Sequence, residues 1–238
     1  IDVKQLSLNL IWSFLSSAAA AVLMMGFPNI LNESEPNQDE HTKLVMAALI
    51  LAISITRSPI MIPLQAFQGV AVSAFLKQHR PAAAFVKPAA AVLGIGAVGA
   101  AAAYLIGPLL FKLIYPPKGD AQAAYAEVVT GTVLGVLVFA SALLALMTLS
   151  GNMVLAINRH RAYVAGWAAA AAVAVAVAFF APLPLVPRAI AALCAGPVCG
   201  FAVHLAAMMV HARSVQALSE GEALREMLVE NTVRGETH

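Results

Sequence analysis

Six long apolar stretches, separated from one another by short polar segments, dominate this 238-residue chain. They cover approximately residues 6–31, 43–76, 83–114, 122–157, 162–181 and 187–212. A helix that crosses a bilayer needs about 20 apolar residues, because the hydrocarbon core is about 30 Å thick. Since every stretch meets this length, the sequence predicts an all-α membrane protein with six transmembrane helices in residues 1–213.

The composition supports this class and excludes others. Charged residues make up 11% of the chain and hydrophobic residues 61%, whereas soluble domains carry about 25% charged residues. A net charge of +2 is too small to indicate a nucleic-acid partner. Cys194 and Cys199 match neither a redox motif nor a zinc spacing. We therefore predict no metal, no cofactor and no enzymatic activity.

The basic residues predict the orientation. Lysine and arginine accumulate near the cytoplasmic ends of membrane helices. If the six stretches alternate, one side receives Lys4, Lys77, Arg80, Lys87, Arg159, Arg161 and Arg213, and the other side receives only Lys43, Lys112, Lys118 and Arg188. This predicts a multi-pass protein of a bacterial cytoplasmic membrane, with both ends of the chain inside.

Residues 214–238 are predicted to form a cytoplasmic tail. Ser219 and Glu222 have the spacing of a capping box, and Leu224, Met227 and Leu228 follow at helical spacing. This pattern predicts a short amphipathic helix.

Arg57 is the most unusual residue of the apolar stretches. An arginine at the centre of a bilayer costs about 2.5–3.5 kcal/mol and usually has a function. No Asp or Glu lies deep in any stretch, and Glu127 lies near the start of the fourth. The guanidinium must therefore be satisfied by an absent part of the chain, by a ligand, or by helix carbonyls and water.

Other polar residues share a helix face with Arg57. Ser54, Ser58, Gln65 and Gln68 fall with it within an arc of about 100° on a helical wheel. Asn9, Ser13, Ser16 and Ser17 form a second polar face on the first helix. From these faces we predict a substrate-binding site made by Arg57, Ser54, Gln65, Gln68, Asn9 and Ser13. The alternatives are that Arg57 is a fixed anchor between helices and that the hydroxyls only pack.

The second stretch is too long for a simple crossing, since a continuous helix would rise roughly 50 Å. Such a helix would tilt strongly, project from the bilayer or be broken, and Pro59 and Pro63 favour a bend just after Arg57.

Two further patterns concern packing. His204, in the last stretch, is interpreted as a hydrogen-bonded packing histidine, with a proton relay as the alternative. Gly131 with Gly135 and Gly196 with Gly200 fit G-x-x-x-G, which allows close helix contacts.

Two segments carry a family resemblance. "ITRSPIMIPLQAFQGVAVSAFLKQ" resembles the broken helix that opens the second lobe of polysaccharide (lipid-linked oligosaccharide) flippases. "LSGNMVLAINRHRAYVAGW" is similar to the junction between the fourth and fifth helices of that lobe. These flippases belong to the superfamily that includes multidrug and toxic-compound extrusion (MATE) transporters.

The resemblance implies a MATE-like transporter of two six-helix lobes, of which this chain is the C-terminal one. The N-terminal lobe would then be missing from this chain, which begins at Ile1 rather than at Met. The implied function is transport of a polyprenyl-pyrophosphate-linked oligosaccharide by alternating access, with Arg57 at the position that meets the pyrophosphate. Membrane lipid, the oligosaccharide substrate and the missing lobe are the implied partners.

Other functions remain open at this point. A cation-coupled multidrug exporter of the same superfamily would call for a carboxylate inside the membrane. A membrane-embedded enzyme of cell-envelope polysaccharide synthesis would need catalytic acids on a loop, and only the acidic segment "NESEPNQDEH" offers them. A scaffold that recruits such enzymes is the third alternative.

Overall fold

The computed structural model describes the backbone of residues 3–76 and 81–235, and these residues are helical apart from short connections. It describes the side chains of residues 10–12, 14–62 and 85–217 and of Gly221. The helices are α1 (Val3–Ala21), α2 (Phe27–Glu33), α3 (Glu40–Leu76), α4 (Pro81–Ile114), α5 (Ala121–Val128), α6 (Gly131–Ala156), α7 (His160–Phe180) and α8 (Leu185–Gly235). A π-helical turn (Val22–Gly26) joins α1 to α2 without interruption.

Six helical segments of the described part are long and apolar enough to cross a membrane. They are Leu10–Glu33, Glu40–Ile62, Phe85–Ile114, Gly131–Ala156, His160–Phe180 and Leu185–Ala217. The prediction of an all-α chain with six apolar helices is confirmed, and this fits a multi-pass membrane protein.

The fold is built around α6. This helix packs against α3, α4 and α8, while α7 packs against α8 and α1. Nearly every residue of α6 from Leu134 to Val154 is buried, as expected for a helix that is apolar all round. By contrast, α4 is largely exposed on the outside of the bundle.

Small residues set the closest helix contacts. A Cβ atom at Gly135 would lie 3.0 Å from the carbonyl oxygen of Ala100, and one at Gly196 would lie 2.8 Å from that of Ala170. Backbones this close tolerate only glycine, so both G-x-x-x-G patterns are packing signals, as predicted.

The predicted fourth span, residues 122–157, is wrong at its start. The structure has two helices there, α5 and α6, with a break at Val129 and Thr130. Thr130 is extended (φ −105°, ψ 155°), and its hydroxyl oxygen accepts a hydrogen bond from the Val133 amide at 3.2 Å. This is the geometry of an N-cap, which starts a new helix. Glu127 consequently lies in α5, outside the spans.

The second span, α3, runs from Glu40 to Leu76 without interruption. Pro59 and Pro63 therefore do not end this helix, because the remaining hydrogen bonds of the ladder hold it together. The bend after Arg57 stays a prediction. Asp39 caps the start of α3 by accepting a hydrogen bond from the Thr42 amide at 2.8 Å. The Thr42 hydroxyl and amide hold the pKa of Asp39 below its ordinary value of 3.8.

The tail also differs from the prediction. α8 is one helix of 51 residues, Leu185–Gly235, so no separate helix begins at Ser219. The segment "HARSVQALSE" contains no proline or glycine, and nothing in it interrupts the helix of the last span.

Candidate functional site at Arg57

The π turn lies opposite Arg57 and has unusual hydrogen bonding. A π turn replaces the i→i−4 hydrogen bond by i→i−5 and is frequent at functional sites. Pro28 follows this turn and has no backbone N–H. In an α-helix that missing N–H would have reached the carbonyl of Met24, and in a π-helix the carbonyl of Leu23. The missing N–H therefore leaves one of these two carbonyl oxygens without its usual donor.

Arg57 supplies donors for these two oxygens. Its Nη1 atom donates to the carbonyl of Leu23 at 2.9 Å and to that of Met24 at 3.2 Å. The sequence left three possible partners for Arg57, and the structure shows that helix carbonyls are among them. Nη1 thus supplies hydrogen-bond donors at a turn where Pro28 has no N–H.

The opposite edge of the guanidinium keeps free donors. A guanidinium has five N–H groups, and the two hydrogen bonds shown both start from Nη1. Within the described side chains, Nε and Nη2 have no protein partner, and the ion pairs lie elsewhere, at the ends of the helices. Arg57 is therefore anchored on one edge and free to bind an acceptor with the other.

A cavity of about 290 Å³ lies between the π turn, α3 and α6, and Arg57 is one of the residues that line it. Ser54 and Ser58 also line it, and both are exposed at the surface of the bundle. Apolar residues make up the remaining lining, namely Met24, Met25, Pro28, Ile53, Met61, Ile62 and Leu144. The cavity is thus an apolar recess with one cation and two hydroxyls.

The two serines use their hydroxyl protons within α3. Ser54 donates to the Ile50 carbonyl at 2.8 Å, and Ser58 donates to the Ser54 carbonyl at 2.9 Å. Their oxygens can still accept hydrogen bonds, for instance from sugar hydroxyls, but donation to a phosphate would require the hydroxyls to rotate. Arg57 is accordingly the principal donor for an anion in this cavity.

The other predicted site residues stay predictions. The side chains of Asn9, Ser13, Gln65 and Gln68 lie outside the described residues. Their backbones belong to α1 and α3, the helices that carry the polar faces identified in the sequence.

Three features of the described part of the structure were missed by the sequence analysis. The first is the π turn, whose signal is Pro28 within an apolar stretch. The second is an ion pair between Arg188, at the start of α8, and Glu35, in the connection from α2 to α3. A third contact, His41 with Glu127 at 3.4 Å, joins α3 to α5 at the same end of the bundle.

His204 has the burial and the hydrogen bonds expected of a packing histidine, the interpretation preferred from the sequence. It is fully buried, with Nδ1 at 2.9 Å from the Ser150 hydroxyl and Nε2 at 3.2 Å from the Tyr163 carbonyl. Its ring stacks on that of Tyr163, with centroids 6.1 Å apart. Both ring nitrogens are satisfied, which holds α6, α7 and α8 together.

Comparison with known proteins finds similar mycobacterial proteins of undescribed activity. The chain is 36% identical over 197 residues to uncharacterized protein Rv1510 of Mycobacterium tuberculosis (strain ATCC 25618 / H37Rv), a match that covers 82% of this chain and 43% of that protein. It is 33% identical over 197 residues, with the same coverage, to uncharacterized protein Rv3630 of that strain and to uncharacterized protein Mb3654 of Mycobacterium bovis (strain ATCC BAA-935 / AF2122/97). The chain spans less than half the length of these relatives. No family model and no solved structure matches it.

Proposed function

We propose that this chain is one lobe of a two-lobe, MATE-like transporter that moves a polyprenyl-pyrophosphate-linked oligosaccharide across the cytoplasmic membrane. The observation that carries the proposal is Arg57. It is a cation within one of the six apolar helical segments, its Nη1 donates to two carbonyl oxygens of the π turn, and its side chain lines a cavity.

The chemistry of arginine favours a phosphate as the ligand. The planar guanidinium binds two oxygens of a phosphate at once, and the hydrogen bonds are charge-assisted. An arginine that served only as an anchor would need no cavity beside its remaining donors. Hydroxyl oxygens of Ser54 and Ser58 add acceptors, which suits a phosphate that carries a sugar.

Transport requires that the polar head group never enters bare hydrocarbon. A pyrophosphate loses its hydration there at a large cost in free energy, and Arg57 replaces part of that hydration. The hydrocarbon chain of the substrate can stay in the bilayer meanwhile. Movement of this lobe against a second one would expose the site to each side of the membrane in turn.

Two further points support a two-lobe protein. Two segments of the sequence resemble the second lobe of polysaccharide flippases. More than half of each relative lies outside the segment that matches this chain, which leaves room for another lobe.

The proposal is tested in flippase-deficient cells that express the protein at its full natural length. Export of lipid-linked oligosaccharide is compared for the unchanged protein, Arg57→Ala, Arg57→Lys and the control Arg161→Ala, all at matched membrane abundance. Arg161 is exposed at the start of α7.

We expect Arg57→Ala to reduce export by about 10- to 100-fold, since a charge-assisted hydrogen bond is lost. Arg57→Lys should restore it partially, and the control should export normally. Normal export in both Arg57 variants would reduce Arg57 to an anchor and overturn the proposal.

A further inference from the structure

An apolar groove lies on the other side of α3 from Arg57, between α3 and α4, with α6 as its floor. It has a volume of about 420 Å³. On the α4 side its rim is formed by large exposed side chains, among them Ile95, Ile106 and Ile114, which are 68%, 51% and 64% exposed. The groove therefore opens at an exposed apolar surface of the bundle.

Among the α3 side chains that the structure describes, none offers a free donor to this groove. Thr56 contributes a hydroxyl to the lining, but it donates to the carbonyls of Ala52 and Ile53, at 2.7 and 3.2 Å. Pro59 lacks a backbone N–H altogether. The α3 side of the groove is thus suited to hydrocarbon.

The groove and the Arg57 cavity lie at the same height on α3. Ile55 to Ile60 contribute to the groove, and Ile53 to Ile62 contribute to the cavity. An exposed face of α3 lies between the groove and the cavity, and it is formed by Ser58, Pro59 and Ile62. A molecule bound at Arg57 can therefore reach the groove along the surface of a single helix.

We propose that this groove binds the hydrocarbon chain of the same lipid whose phosphate binds Arg57. The inference rests on the proposed function and adds a second subsite to it. One side of α3 would hold the charged head group and the other side the apolar chain, so that α3 lies between the two parts of an amphipathic substrate.

A hydrocarbon chain fits this groove better than a helix does. Gly99 and Gly107 belong to the lining, yet a Cβ atom at either would lie 3.0–3.3 Å from side chains of α6. These glycines therefore serve the contact of α4 with α6 and offer no flat stripe to a second helix. The protruding isoleucine side chains of α4 would prevent close packing of another helix. A flexible hydrocarbon chain can lie between these side chains.

Ala102 and Ala101 provide a matched pair of variants for the test. Both are exposed on α4, but only Ala102 lines the groove. Ala102→Phe would fill the groove, and Ala101→Phe places the same bulk on the neighbouring surface. The full-length protein is studied in nanodiscs, and its affinity is measured for geranyl diphosphate and for undecaprenyl diphosphate.

We expect Ala102→Phe to weaken undecaprenyl diphosphate roughly tenfold, equivalent to losing contact with about two methylene groups. Geranyl diphosphate is too short to depend on the groove and should bind unchanged. Ala101→Phe should alter neither affinity. If Ala102→Phe weakens neither ligand, or weakens both equally, the groove is not the chain site.

Arg57→Gln separates this inference from the proposed function. It should weaken both diphosphates, because both share the head group. Should it weaken neither while Ala102→Phe weakens the long chain, the groove stands and the phosphate site fails. A diazirine-labelled phosphatidylcholine that labels the groove and resists competition by undecaprenyl diphosphate would show ordinary bilayer lipid there and overturn the inference.

Discussion

At the scale of single residues, Arg57 and Pro28 complement each other. Pro28 removes the donor that one of the carbonyls of Leu23 and Met24 would use, and Arg57 Nη1 donates to both from α3. The Nη1 donors of Arg57 are therefore structural, and within the proposed function its Nε and Nη2 donors bind the ligand. An anchor and a binding site are compatible in one guanidinium because its donors lie on separate edges.

This complementarity predicts a coupling between the two residues. Arg57→Gln should destabilise the protein by about 1–3 kcal/mol, since two carbonyls lose their donor. In a Pro28→Ala background the loss should be at most half as large, because the alanine introduced there brings its own N–H to the turn. Thermal unfolding in detergent of the four proteins of this double-mutant cycle measures the coupling.

Pro108→Ala serves as the control background, since Pro108 lies inside α4, away from the π turn. There the cost of Arg57→Gln should remain unchanged. An equal cost in all backgrounds would show that Pro28 is unrelated to the Arg57 contact.

At the scale of helices, Thr130 separates α5 from α6. Its hydroxyl caps the helix through the Val133 amide at 3.2 Å. Thr130→Ala should lower the free energy of unfolding by about 1 kcal/mol, the usual cost of a lost N-cap. Thr132→Ala is the matched control, because Thr132 is exposed within the first turn. Thermal unfolding of the two variants checks this, and similar losses in both would contradict a capping role.

The sequence was sufficient for the number and approximate position of the apolar helices, because length and hydrophobicity alone identify a span. It was insufficient for the break before α6. Thr130, Gly131 and Thr132 lie at the break, but threonine and glycine also occur within uninterrupted membrane helices, so they are a weak signal.

The end of α6 depends on the backbone conformation of one residue. Asn158 has a positive φ of 58°, and the Arg159 amide reaches back to the Val154 carbonyl at 3.0 Å. This is a Schellman motif, in which asparagine substitutes for the usual glycine.

Only part of the candidate site was predictable from the sequence. An arginine in an apolar stretch is conspicuous, so Arg57 could be identified from the sequence. Its partners could not, because Leu23 and Met24 contribute backbone oxygens that any residue possesses. The Arg188–Glu35 contact likewise joins residues far apart in the chain, and neither stands out among the other charges near the helix ends.

At the scale of the whole molecule, the Arg57 cavity opens at the outer surface of this bundle. Ser54 and Ser58 are exposed there, on a helix that otherwise faces apolar surroundings. Within the proposed function, a second lobe would cover this face and close the recess into a central cavity. The groove between α3 and α4 would then remain at the edge of that cavity, open to lipid.

The orientation of the bundle is the remaining prediction, and it follows from the distribution of basic residues. Arg159 and Arg161 lie at the end of α6 that we place in the cytoplasm, while Lys118 lies beyond its other end. Lys118 and Arg161 are both exposed.

Single cysteines at these two positions, in a protein with Cys194→Ala and Cys199→Ala, can be labelled in intact cells with a membrane-impermeant maleimide. We expect Lys118→Cys to react at once and Arg161→Cys to react only after permeabilisation. The reverse pattern would invert the bundle, so that the basic ends would face outward against the charge rule. Because α6 is the single span between the two positions, equal labelling of both would show that α6 does not cross the membrane, and the membrane architecture itself would then be wrong.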